Sequence, residues 1–145
     1  MKNLVKKACL SLTFLSLIPT TVLAVTKGNN SSAAYDWSPV MEAIIQVESE
    51  GNASAVSGNS VGAMQITPVL VKECNEILKS RKSDKRFTMN DRYSVEKSKE
   101  MFLLIQSQYN KTNNVEKAIR SWNGGPKYSV KATNKYFRKV MRHLK

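Results

Sequence analysis

Apolar residues recur along the chain at steps of three and four from Val40 onward, the spacing that places them on one side of an α-helix. Val40, Met41, Ile44 and Ile45 form the first such stripe, behind a Ser38-Pro39 start in which Ser suits the N-cap and Pro the first helical position. The next position on that stripe is Glu48. Gly51 follows as a stop and opens a polar loop over residues 52–60, which leads to Gly62-Ala63-Met64-Gln65-Ile66. Thr67-Pro68 repeats the cap-then-proline start, with Leu70, Cys74, Ile77 and Leu78 as a second stripe that runs into the charged loop 80–86. Ser94 begins a longer helix with Val95, Ser98, Phe102, Ile105 and Tyr109 inward and Met101 beside them, broken at residues 110–114. Asn113 with Glu116 resembles a capping box for a short fourth helix bearing Val115, Ala118, Ile119 and Trp122. It ends at Asn123-Gly124-Gly125-Pro126. A final helix over about residues 129–143 turns Val130, Phe137, Val140, Met141 and Leu144 inward. Its other side carries a basic ridge of Lys127, Lys131, Lys135, Arg138 and Arg142. No segment reads as a long β-strand and no internal repeat is present, so the pattern predicts one all-α domain over residues 37–145.

Glu48 is the odd member of its stripe. An ionised carboxyl removed from water is costly unless a cation meets it or its pKa rises, and a raised pKa is what a general acid needs near neutral pH. The plainer alternative is a Glu left partly exposed at a frayed helix end.

Composition adds a compartment and a charge. Residues 1–24 carry a basic start at Lys2, Lys6 and Lys7, a short apolar run and a small-residue finish at Ala24, the pattern of a cleaved secretory signal peptide. The run is too short for a membrane anchor, so an exported protein without a transmembrane segment is expected, periplasmic or extracellular. Residues 25–36 are rich in Ser, Asn and small side chains and read as a flexible linker. Cleavage removes three of the 23 Lys and Arg residues and none of the 11 acids, which leaves 20 basic against 11 acidic side chains. Such a field favours an anionic polymer without choosing among nucleic acid, lipid and cell wall. With Cys9 lost in the leader, Cys74 has no partner for an intramolecular disulfide, and without a Cys/His cluster no zinc site is expected.

Four short motifs occur in order: Glu48-Ser49-x-x-Asn52-x-x-Ala55-x-Ser57, Gly62-x-Met64-Gln65-Ile66-x-Pro68, Trp122-Asn123-Gly124-Gly125-Pro126 and Thr133-x-x-Tyr136. Together they resemble the soluble lytic transglycosylase family, whose lysozyme-like domains cleave peptidoglycan, over most of the chain from Val40 to Val140. The resemblance implies a lysozyme-like helical domain with Glu48 as the sole catalytic acid/base. It also implies a substrate cleft formed by Ser49, Met64, Gln65, Trp122, Asn123 and Tyr136, with Tyr136 contacting the catalytic carboxyl. Ala63 stands where the family has Leu, the 57–62 loop is a residue shorter, and Trp122 replaces a Tyr, so an aromatic is kept and a hydroxyl lost.

The carboxylate census agrees with a single acid/base. A glycosidase of the usual kind needs two carboxyls flanking the bond, whereas Glu50, two residues from Glu48, points to another side of the helix. The resemblance implies a monomeric enzyme that acts on peptidoglycan glycan strands without a cofactor and forms 1,6-anhydro-N-acetylmuramic ends. A goose-type lysozyme that uses water, and a non-catalytic wall-binding or secretion-assembly module, are the alternatives. The basic ridge suits acidic wall polymers as a secondary partner. No nucleic-acid reader motif is present, and export weighs against that partner.

Overall fold

The structure, a computed structural model, describes residues 35–144. The leader over residues 1–24 and all but the last two residues of the linker lie outside them. In chain order it comprises α1 (Ser38–Ser49), β1 (Val56–Ser57), β2 (Ser60–Val61), α2 (Pro68–Ser80), a 3-10 turn (Asn90–Tyr93), α3 (Val95–Tyr109), α4 (Val115–Gly124) and α5 (Val130–His143). The five helices follow the apolar periodicity, and the fold is all-α with one small addition. β1 and β2 form an antiparallel hairpin, Val56 opposite Val61 and Ser57 opposite Ser60, which the helical pattern did not indicate.

Local chemistry explains where the helices begin. The hydroxyls of Thr67, Ser94 and Ser129 accept hydrogen bonds from the N–H groups of Leu70 (3.2 Å), Lys97 (3.2 Å) and Ala132 (3.3 Å), satisfying donors that no intrahelical carbonyl reaches. Two starts differ from expectation by one residue. Ser38 is already helical, and Asp36 Oδ1 accepts its N–H at 2.9 Å, because Trp37 at the N-cap position turns its ring into the core. Asn114, not Asn113, caps α4 through Lys117 N–H (2.8 Å), while Asn113 adopts the left-handed conformation at φ 53° that closes the preceding turn.

The core lies where α5 packs on α1 and α4, and where α2 packs on α3. Phe102 sits at its centre between Trp37, 5.7 Å away, and Trp122, 5.2 Å away, with Ile44, Met64, Met101, Ile119 and Val140 fully buried around it. Cys74 is a buried core residue whose thiol is pushed up to about 12 by burial. Three residues expected inside lie outside: Tyr109, Val130 and Met141 are all exposed. Tyr109 ends α3, where the helix overhangs the core. On α5 the inward face is centred on Thr133 and Val140, which leaves Val130 and Met141 on its edge. Thr133 is inward because it receives Arg120. That buried guanidinium donates to Glu116 (2.7 Å), Thr133 Oγ1 (3.2 Å) and the Val130 carbonyl (3.1 Å) and lies over the Phe137 ring, fastening α4 to α5.

One glycine is indispensable by geometry. Gly62 has φ 78°, and a Cβ there would lie 1.9 Å from the Arg92 carbonyl oxygen. Arg92 in turn donates to the carbonyls of Met89 (2.9 Å) and Asn59 (3.2 Å), so the 3-10 turn and the hairpin interlock at this point. Gly62→Ala is therefore expected to cost about 3 kcal/mol or more in urea denaturation, whereas Gly58→Ala, with open space around it, should cost only about 1 kcal/mol for its left-handed backbone.

Candidate active site

Glu48 occupies the last turn of α1, which ends because Glu50 and Gly51 both take positive φ, 54° and 86°. The apolar stripe of α1 thus delivers a carboxyl to the edge of the core, half-buried rather than frayed. Tyr136, reaching in from α5, donates its hydroxyl hydrogen bond to Glu48 Oε1 at 2.7 Å. Burial pushes the Glu48 carboxyl above its ordinary range, and the Tyr136 hydrogen bond, which favours the ionised form, opposes that rise only in part. Tyr136 itself is driven far above its usual range by burial and by the adjoining Glu48 charge, so it remains a donor at every working pH.

A cleft of about 260 Å³ opens in front of this carboxyl, lined by Glu48, Ser57, Ser60, Gln65, Thr67, Leu70, Trp122 and Asn123. Glu48 is the one ionisable side chain among these eight. Gln65 is held in the left-handed conformation at φ 52°, a strained setting for a side chain. Its Nε2 donates to the carbonyls of Gly62 (3.0 Å) and Ala55 (3.4 Å), which leaves its amide oxygen as the acceptor it can offer a ligand. Among the described residues no group of three or more His, Cys, Asp or Glu side chains is placed to hold a metal ion.

The structure brings Glu48, Gln65, Trp122 and Asn123 together around the cleft and sets Tyr136 behind it. Two expected contact residues do other work. Met64 is completely buried, so its side chain is core and cannot face a substrate; its carbonyl accepts the Trp122 indole N–H at 3.3 Å. That bond supplies the polar anchor for the Trp122 ring. Ser49 turns its hydroxyl to the Ala63 carbonyl (2.8 Å), tying the end of α1 to the 62–66 turn rather than facing the cleft. Ser57, Ser60, Thr67 and Leu70 are the cleft residues that the helical pattern missed. Thr67 and Leu70 carried plausible roles as a cap and a core position. The two serines flank Gly58-Asn59, a two-residue hairpin turn, and that dipeptide was the available signal.

A family model described as the transglycosylase SLT domain matches residues 27–144. The chain belongs to that family, lysozyme-like lytic transglycosylases that act on peptidoglycan. No curated protein and no solved structure matches the chain. No helix among the described residues is long and apolar enough to cross a membrane.

The elevated Glu48 pKa has a measurable sign. The folded state holds a proton that the unfolded chain has released between the ordinary Glu pKa and the raised one, so stability falls as pH rises through that window. Glu48→Gln, whose amide oxygen still accepts from Tyr136, is expected to have the higher Tm above pH 7, and the gap should close as pH falls toward 4. A gap that stays constant with pH would show that Glu48 is not desolvated.

Proposed function

We propose that the protein is a peptidoglycan lytic transglycosylase in which Glu48 acts alone as acid and then base. The observation that supports this most strongly is a single half-buried carboxyl of raised pKa, held by a Tyr hydroxyl at the edge of a cleft with no second acid. Burial keeps a proton on Glu48 nearer neutral pH, as a donor to the glycosidic oxygen between N-acetylmuramic acid and N-acetylglucosamine requires. As that bond breaks, the substrate's own acetamido oxygen stabilises the anomeric carbon. The Glu48 carboxylate left behind removes the proton of the muramic C6 hydroxyl, which attacks C1. The glycan ends in a 1,6-anhydro ring, Glu48 regains its proton, and no water is consumed.

The other groups position the sugar. Gln65 and Asn123 offer hydrogen bonds to sugar and acetamido groups, and the exposed edge of Trp122 forms an apolar wall. Tyr136 orients the carboxyl and supports the ionised state that the second step needs.

Outside the cleft, Lys127, Lys131, Lys135, Arg138 and Arg142 are all exposed, and none of them makes an ion pair among the described residues. This row suits acidic polymers of the wall of an exporting cell, as a holding contact away from the chemistry.

The decisive experiment digests purified peptidoglycan with the protein and with Glu48→Gln and identifies the released muropeptides by mass spectrometry. Anhydromuramic ends are expected, with release falling about 10²–10⁴-fold in the variant. Reducing ends would make the protein a lysozyme-type hydrolase, and no release by either form would make it a binding module. Removing the Tyr136 hydrogen bond should raise the Glu48 pKa further, so Tyr136→Phe is expected to shift the alkaline limb of the acid-dependent step to higher pH while lowering kcat. Pelleting with the wall should weaken as salt approaches 1 M, where the Debye length is about 3 Å, and Lys131→Gln/Lys135→Gln/Arg138→Gln should reproduce that loss at low salt.

A further inference from the structure

Arg120 is the one buried cation among the described residues, 4 % exposed. Taking a guanidinium out of water is costly unless its donors and its face are all used. Its ion pair with Glu116, a residue one turn earlier on the same helix and half-exposed, needs no burial. The remaining contacts are what draw it inward, and all of them fall on α5: the Val130 carbonyl, Thr133 Oγ1 and the Phe137 ring, 4.2 Å from the guanidinium carbon. The Thr133 hydroxyl donates its own proton to the Ser129 carbonyl (2.8 Å), so it meets Arg120 as an acceptor.

These contacts bracket Tyr136. Thr133 and Phe137 lie one turn apart on the face that meets Arg120, and Tyr136 projects beside them, so gripping the pair fixes both the height and the rotation of the residue between. The Tyr136–Glu48 bond of 2.7 Å joins positions 88 residues apart, and nothing local holds it. From the other helix, Gly124 closes on the same place: a Cβ there would lie 2.7 Å from Thr133 Cγ2 and 2.8 Å from Tyr128 Cβ. α4 also carries Trp122 and Asn123 of the Glu48 cleft. Its Trp122 borders a second hollow of about 680 Å³, a groove between α2, α3 and α4 that continues the cleft and is lined in part by Glu73 and Lys117. The α4–α5 junction is thus the place where the cleft wall and the Tyr136 hydroxyl are set relative to each other.

We propose that Arg120 is a positioning residue for the reaction, clamping α5 on α4 so that the Tyr136 hydroxyl reaches Glu48. Its part in the reaction rests on the reading of Glu48 as acid and base, whereas the link from Arg120 to the carboxyl can be measured without it. Losing the clamp while the packing stays removes a hydrogen bond that favours the carboxylate, so Glu48 holds its proton to higher pH. General loosening that admits water has the opposite sign, because it relieves the desolvation of the carboxylate.

Arg120→Met tests this, since Met keeps the length of the side chain and the apolar contact with Phe137 while removing the guanidinium. Side-chain carboxyls are titrated by carbon-detected NMR, with the Glu48 signal identified by its absence in Glu48→Gln. Glu48 is expected to titrate at higher pH in Arg120→Met than in wild type, in the same direction as in Tyr136→Phe. On purified peptidoglycan kcat should fall about tenfold, the equivalent of one hydrogen bond to an ionised group. In a Tyr136→Phe background, Arg120→Met should move neither readout further. An unchanged titration, a shift to lower pH, or effects that add in the double variant would each overturn the proposal, the last two by making Arg120 a general structural contact. Where Arg120→Met does not fold, Arg120→Lys is read in the same way, because its ammonium keeps the buried charge but lacks the fork that grips both α5 acceptors. A shift in a protein that cleaves nothing locates the failure in the catalytic reading and leaves the Arg120 link standing. Cleavage by wild type without that shift in the variant sinks the link alone.

Discussion

A carboxyl group placed at the end of an apolar helix face is the constraint on which the rest of the structure depends. Water would keep Glu48 ionised and inert as an acid; complete burial without a partner would destabilise the fold. The chain holds it between these limits. α1 brings it to the core's edge, two consecutive residues of positive φ stop the helix there, and Tyr136 supplies one hydrogen bond from the far end of the sequence. Because that bond favours the carboxylate and burial favours the acid, one residue is poised to give a proton and take it back.

Much of the remaining architecture keeps those two residues in register. Tyr136 lies on α5, so its position relative to α1 depends on how α5 is seated. Arg120 seats it on α4 through Glu116, Thr133, the Val130 carbonyl and the Phe137 ring. On the other side of the cleft, Ser49 fastens α1 to Ala63, Trp122 hangs from the Met64 carbonyl, and Gly62 lets the Arg92 backbone approach closely enough to lock the hairpin. Several of these residues belong to motifs that resemble a substrate-contact set, yet their contacts are internal. Motif membership therefore marks two different duties here: Gln65 and Asn123 face the cleft, whereas Ser49 and Met64 build the wall behind it.

The charge distribution divides the surface in the same economical way. The cleft holds a single titratable group, the adjoining groove carries one charge of each sign, and the exposed cations of α5 lie elsewhere. The cations exposed to solvent and the half-buried carboxyl of the cleft are thereby separate residues, and salt screens the former more than the latter.

The helices, their order and the identity of the catalytic candidate were legible in the sequence because each rests on local information. A 3.6-residue apolar period, Ser or Thr before a helix start and glycine at its end depend only on neighbours along the chain. Glu48 was visible for the same reason, as a polar break in one stripe. What required the tertiary structure was every property that depends on which surfaces meet. Tyr109, Val130 and Met141 fit their helical periods yet lie exposed, because periodicity assigns a face without saying how far the neighbouring helix extends over it. Met64 went into the core, and Thr67 lines the cleft besides capping α2, because a turn with left-handed residues re-aims side chains in ways that no period predicts. The elevated pKa, the Tyr136 bond across 88 positions and the groove continuous with the cleft arise only when distant segments pack, since desolvation belongs to the assembled surface and not to the residue.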